Sequence, residues 1–190
     1  GTTALTFTYT VLANQTDADG ISIDANSLSL NSGSITDAAG NAATLTHTAV
    51  TDNSTYKVDT TAPDAPTFAL TTDTGTAADG ITNDATVDVT LASDVASWEY
   101  SLNGGTDWAA GTETSFELDD DTTYAIDAIQ VRQTDVAGNT STAVTNASAI
   151  TTDSTIAAPT FALAADTGSV NNDGITNDAT VDVTLASDVA

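Results

Sequence analysis

Residues 79–96 read DGITNDATVDVTLASDVA, and residues 173–190 read the same eighteen letters. The match extends upstream, because APTFALTTDTGTAADGITND (65–84) aligns with APTFALAADTGSVNNDGITND (158–178) once a single residue is inserted. A fixed long period signals a modular array. One complete unit runs from about residue 60 to about residue 155. Inside it ATVDVTLA (85–92) alternates apolar and polar residues, as a strand with one buried face requires. ASWEYSL (96–102), TSFELD (114–119), AIDAIQVRQTD (125–135) and STAVTNASAI (141–150) follow, divided by clusters of Gly, Asn and Asp that read as turns. No stretch has helical periodicity of any length.

Roughly seven short strands in about 95 residues is the pattern of an immunoglobulin-like β-sandwich, here without a disulfide. The expected class is therefore all-β, in tandem sandwich modules. Residues 59–155 are read as one complete module. Residues 1–58 are read as the C-terminal part of an immunoglobulin-like or cadherin-like module, with strands in TALTFTYTV (3–11), ISIDANSLSL (21–30), ATLTHTAV (43–50) and STYKVDT (54–60). Residues 156–190 are read as the first third of the next, near-identical module. A third of a sandwich leaves an uncovered apolar face and open strand edges, so the sequence is expected to be a window on a longer array.

The chain carries 24 Asp and 3 Glu against one Lys and one Arg, a formal charge of -25. Its carboxylates have almost no internal cations to pair with. Such a surface repels nucleic acid and anionic membranes and attracts divalent cations. There is no Cys and no Met, which fits an exported protein that folds without disulfides. No run of eighteen apolar residues and no charged-then-apolar leader occurs in these 190 residues.

The composite VDTTAPDAPTFAL, DTG, DGITND, WEYSLNGGTDW and VRQTDVAGNTS resembles the immunoglobulin-like tandem repeats of giant, exported, calcium-dependent bacterial surface adhesins of the RTX and biofilm-associated type. Residues 3–50 look like the second half of a related module that alternates with them. The resemblance implies an extracellular location at the bacterial cell surface and a role in cell adhesion or biofilm formation. It also implies a stalk of neighbouring modules with calcium at or near the junctions, and no catalysis.

Calcium takes about six to eight oxygen ligands from carboxylates, amides and backbone carbonyls, and loops dense in Asp, Asn and Gly can supply them. One candidate cluster is Asp73, Asp79, Asn83 and Asp84, repeated as Asp166, Asp173, Asn177 and Asp178. The other is the D-x-A-G-N turn, Asp37 to Asn41 and again Asp135 to Asn139, with the linker residues Asp59 and Asp153. If that turn faces the following linker, Asp135 and Asp153 share an ion with Asp173. The same residue types also simply make turns and keep a surface soluble. Asp119 to Asp121 read as a solvated loop.

Other signals are weaker. The paired DTG motifs (73–75 and 166–168) suggest an aspartic protease dyad, but they recur because the module recurs. His47 is the only histidine, which leaves no zinc set and no nucleophile-base pair. Trp98 or Tyr100 is expected to fill the core, with Trp108 packed on a hairpin; an exposed aromatic groove would instead favour a ligand-binding module for a glycan, a peptide or another copy of the chain. Asn14, Asn53, Asn139 and Asn146 begin N-x-Ser/Thr triplets that matter only in a glycosylating pathway.

Overall fold

The computed structural model describes residues 6–185, and every element among them is a strand or a turn. The strands are β1 (Thr16–Asp17), β2 (Ile21–Ile23), β3 (Val50–Asn53), β4 (Val58–Asp59), β5 (Thr67–Leu70), β6 (Ile81–Thr82), β7 (Thr86–Thr90) and β8 (Val95–Ser101). They continue as β9 (Ala109–Ala110), β10 (Ser115–Glu117), β11 (Thr123–Tyr124), β12 (Gln130–Asp135), β13 (Val144–Thr145), β14 (Ile150–Thr152), β15 (Thr160–Leu163) and β16 (Val181–Thr184). The chain is all-β, as its alternation requires.

The central segment forms two main layers. One sheet has the order β10-β7-β5 and the other β13-β12-β8-β9. Every buried large hydrophobic residue among the described residues lies between Val87 and Val131. Val87 and Val89 point inward from β7 while Thr86, Asp88 and Thr90 point outward, the period-two consequence of the pleat. From the facing sheet Trp98 and Val131 fill the interlayer space, joined by Phe116, Leu118, Tyr124 and Ile129. Tyr100 stacks on Phe116 with ring centroids 4.4 Å apart, and Trp98 lies tilted against both rings. Each such side chain contributes about 1.5 to 3 kcal/mol on burial.

The alternation of β12 changes character along its length. Val131 is buried, but the next two inward positions are Gln133 and Asp135, also buried. Polar groups there need partners, and those partners are described below.

A third, smaller sheet closes one end, with the order β11-β14-β6. Its β6 and β14 run parallel, Thr151 opposite Ile81 and Thr152 opposite Thr82. The stretch expected as one strand over 141–150 thus divides, because β13 joins one sheet and β14 another. Likewise the strand expected from residue 125 begins only at Gln130; Asp127 sits at φ 64° in a turn, where Ala128 N donates to Ala125 O.

Residues 6–59 form two short pairs, β1 with β4 and β2 with β3, and a bridge between Thr36 and Ala42. Residues 6–11 of the first expected strand are not in a sheet, and residues 3–5 lie outside the described residues. ATLTHTAV contributes only Val50 to a strand. Its alternation is present, but a strand also needs a neighbour, and His47 is held by Asn26 rather than by a ladder.

The β15/β16 pair repeats β5/β7 in register: Phe68 faces Val89 and Leu70 faces Val87, while Phe161 faces Val183 and Leu163 faces Val181. The local sequence therefore dictates the pairing even without a second layer. Val87 and Val89 are 0% and 4% exposed, whereas Val181 and Val183 are 48% and 61% exposed. The last five residues of the repeat lie outside the described residues.

Candidate metal-binding loops

The DTG and DGITND motifs form one loop, built identically in both copies. Thr82 Oγ1 donates to Thr72 O at 2.8 Å and accepts from Asp84 N; Thr176 Oγ1 donates to Ala165 O at 2.8 Å and accepts from Asp178 N. Asn83 N donates to Thr74 Oγ1, as Asn177 N does to Thr167 Oγ1. Four of the predicted acidic ligands are used to hold turns. Asp79 and Asp173 accept from Ile81 N and Ile175 N, and Asp84 and Asp178 accept from Thr86 N and Thr180 N. Hydrogen bonds from Thr86 and Thr180 hold the Asp84 and Asp178 carboxyls below their ordinary value of 3.8.

Asp73 and Asp166 differ from these. Each accepts one bond through Oδ2, from Gly80 N at 3.3 Å and Gly174 N at 3.0 Å. In each the other oxygen, Oδ1, is buried and has no partner. An unpaired buried carboxylate oxygen is costly, and the same orphan arises in both copies of the loop.

The loop packs against the C-terminal side of the central segment. Gly80 has φ 77°, and a Cβ there would stand 2.7 Å from Ala149 O, so glycine alone fits this approach. Asp153 N donates to Thr82 O at 2.8 Å. Thr152 Oγ1 donates to Asp119 O at 2.6 Å, and Tyr124 Oη donates to Asp119 Oδ2. Burial raises the Tyr124 hydroxyl above its usual value of 10.0. The stretch 119–121 is not merely the solvated loop that its sequence suggests, because Asp121 accepts from Ser154 N at 2.9 Å and so anchors the trailing linker. Sequence offers no sign of this long-range contact.

The D-x-A-G-N turns are also built alike. In each, the Asn backbone N–H and side-chain amide both donate to the Asp carboxylate, at 2.9 and 2.8 Å for Asp37 and at 2.8 and 2.8 Å for Asp135. These bonds, from the Asn side chain first, hold both Asp carboxyls below 3.8. The second turn faces the leading linker: Asn139 Nδ2 donates to Asp59 O at 3.1 Å. Gln133 Nε2 donates to Asp64 O, and Gln133 Oε1 accepts from Ala92 N.

Asp135 and Asp153, expected to share one ion, are held against different segments. β5 (Thr67–Leu70) with its flanking residues separates Asp64, beside Gln133, from Thr72, beside Thr82. Asp135 lies at one end of that span with Asp59, and Asp153 lies at the other with Asp73, Asp79 and Asp84.

Among the described residues no group of three or more His, Cys, Asp or Glu side chains converges to hold an ion. The donors that do gather in the loops are oxygens, the chemistry of a hard cation. No protein-family model matches the chain, and no curated protein matches it.

The aromatic residues occupy defined places. Trp98 is 5% exposed and its Nε1 donates to Glu113 O. Trp108 donates to Gly105 O, and the Arg132 guanidinium covers its ring at 3.9 Å from the centroid. Arg132 also holds Glu99 through Nε and Nη2, at 3.0 and 2.8 Å. One face of the Trp108 ring is thus stacked by the chain's own cation.

Proposed function

We propose that this chain is a spacer segment of an exported bacterial surface adhesin, a row of immunoglobulin-like sandwiches stiffened by calcium that projects a distal binding domain. The observation that carries the calcium reading is the pair of orphaned oxygens, Asp73 Oδ1 and Asp166 Oδ1, at the same position of two repeats. A cation supplies there the positive charge that the loop itself lacks. Asp73 and Asp166 would hold it, with backbone carbonyls and Asn side chains of the same loops as the remaining oxygens. What the chain's own residues do is orient that carboxylate: Gly80 and Gly174 fix Oδ2, and the Thr82 and Thr176 hydroxyls close the loop around it.

The stalk reading is also supported by where the central aromatics lie, in the core or under Arg132. With a dissociation constant near 10⁻⁴ M, as extracellular calcium modules can have, millimolar calcium adds about 1 to 3 kcal/mol per site to the folded state. Thermal unfolding of the full chain in chelator, calcium and magnesium tests this. The melting temperature is expected to rise with calcium, and Asp73→Asn is expected to remove most of the rise seen by the central-segment tryptophans. An equal curve in chelator and calcium would refute the reading.

A second reading, self-association within the same surface protein, draws on the exposed apolar side chains outside the centre: Phe7, Tyr9 and Phe161 are 73%, 72% and 81% exposed. Sedimentation across a concentration series separates the two, since a pure spacer keeps monomer mass throughout.

A further inference from the structure

We infer that the junction between residues 6–59 and the central segment is locked by neutral hydrogen bonds and holds its geometry without any ion. The short leading linker is tied on both sides. On the N-terminal side Thr60 N donates to Gln15 O at 2.9 Å, Gln15 N donates to Thr60 Oγ1 at 2.8 Å, and Thr60 Oγ1 donates to Leu12 O at 2.9 Å. On the central side Asn139 Nδ2 reaches Asp59 O and the buried Gln133 reaches Asp64 O. Pro63 is buried between these anchors and Pro66 just past them, and their fixed φ removes a degree of freedom that a pivot needs.

Every one of these contacts pairs an amide or hydroxyl with an uncharged oxygen. Carboxylates act only behind them, Asp135 Oδ2 accepting from the same Asn139 amide and Asp59 Oδ1 from Thr61 N, so none of the bonds named across the junction ends on a charged group. The trailing linker is different, because beside one neutral tie, Asp153 N on Thr82 O, it has a charged anchor, the Asp121 carboxylate on Ser154 N. The two ends of the central segment thus respond differently to cations: the leading junction is fixed by Asn139 and Gln133, and only the trailing end is left for cation control.

Asn139 has an internal control. Asn41 makes the same turn with Asp37, and its side-chain amide reaches no linker carbonyl among the described residues. The chain has no cysteine, so spin labels can be placed at Ser54→Cys and Ala143→Cys, both exposed and on either side of the junction. Pulsed electron–electron distance measurement on the full chain should give a narrow distribution in chelator that calcium leaves unchanged. Asn139→Ala should raise the population outside the main peak about fivefold, as expected for one net hydrogen bond, with and without calcium. Asn41→Ala should not. Tryptophan emission, read in the same samples, shows that the central segment is intact. A parent distribution that narrows only with calcium, an Asn139→Ala distribution like the parent's, or equal broadening by Asn41→Ala would each overturn the inference.

Discussion

Gly111 offers the sharpest test of the core. It follows β9, and its N–H donates to Trp98 O at 2.9 Å. A Cβ at this position would stand 2.0, 2.2 and 2.3 Å from three indole carbons of Trp98. Non-bonded carbons rest at about 3.5 to 4.0 Å, so Gly111→Ala forces the indole back by about 1.5 Å. It has nowhere to go, because Tyr100 and Phe116 stand 6.0 and 6.2 Å away by centroid. Overpacking costs about 1 to 3 kcal/mol, and weakening of the Trp98 to Glu113 hydrogen bond adds about 1 kcal/mol. The expected loss is about 2 to 4 kcal/mol, a large part of a small domain's stability. Urea unfolding of the full chain, followed by tryptophan emission, reads it directly, since both tryptophans lie in the central segment. In a double-mutant cycle, Trp98→Leu should cost much less in the Gly111→Ala background than in the parent. A loss below about 0.5 kcal/mol, or additive costs in the cycle, would refute the packing described.

Gln133→Ala should destabilise the central segment by about 1 to 3 kcal/mol, because it empties a fully buried position and leaves the partly buried Asp64 O and Ala92 N without their partner; the same urea series checks it. The Asp37 and Asp135 carboxyls are held below 3.8 by their Asn partners, so the stability they lend is present above that value and is lost as pH falls through their lower folded values. Melting followed from pH 6 to pH 2 should therefore fall only below about pH 4, and Asp135→Asn should flatten that part of the curve. Arg132→Ala should cost no more than about 1 kcal/mol, its ion pair with Glu99 being half-exposed, while shifting Trp108 emission as its ring face opens to water.

Alternation makes the core strands legible in advance. ATVDVTLA and TSFELD each contain an observed strand, ASWEYSL contains all but the first residue of another, and Trp98 sits in the core as its place in that pattern implies. The repeat is legible, and the structure shows its second copy paired in the register of the first. What escapes reading depends on long-range partners. Ala109–Ala110 form a strand with no β-favouring side chain, solely because the edge of β8 is beside them. ATLTHTAV has the right pattern but no ladder to join. The candidate acidic residues are evident, yet their division between the two ends of the central segment is not, because a motif does not state which linker it faces. The signal that does exist is Gln133 and Asp135, polar residues at positions where the β12 alternation demands apolar ones.

The parallel pairing of β6 and β14 bears on how the chain carries load. Tension applied through the leading linker enters at β5, which is paired with β7, and passes on to β6, while tension on the trailing linker draws β14 the opposite way. Thr151 N to Gly80 O and Asp153 N to Thr82 O, both 2.8 Å, lie across that pull. Pulled so, they are strained together in shear and cannot open one after another like a zipper. A pull between the two linkers is therefore met by sliding resistance at this small sheet as well as along β5 and β7.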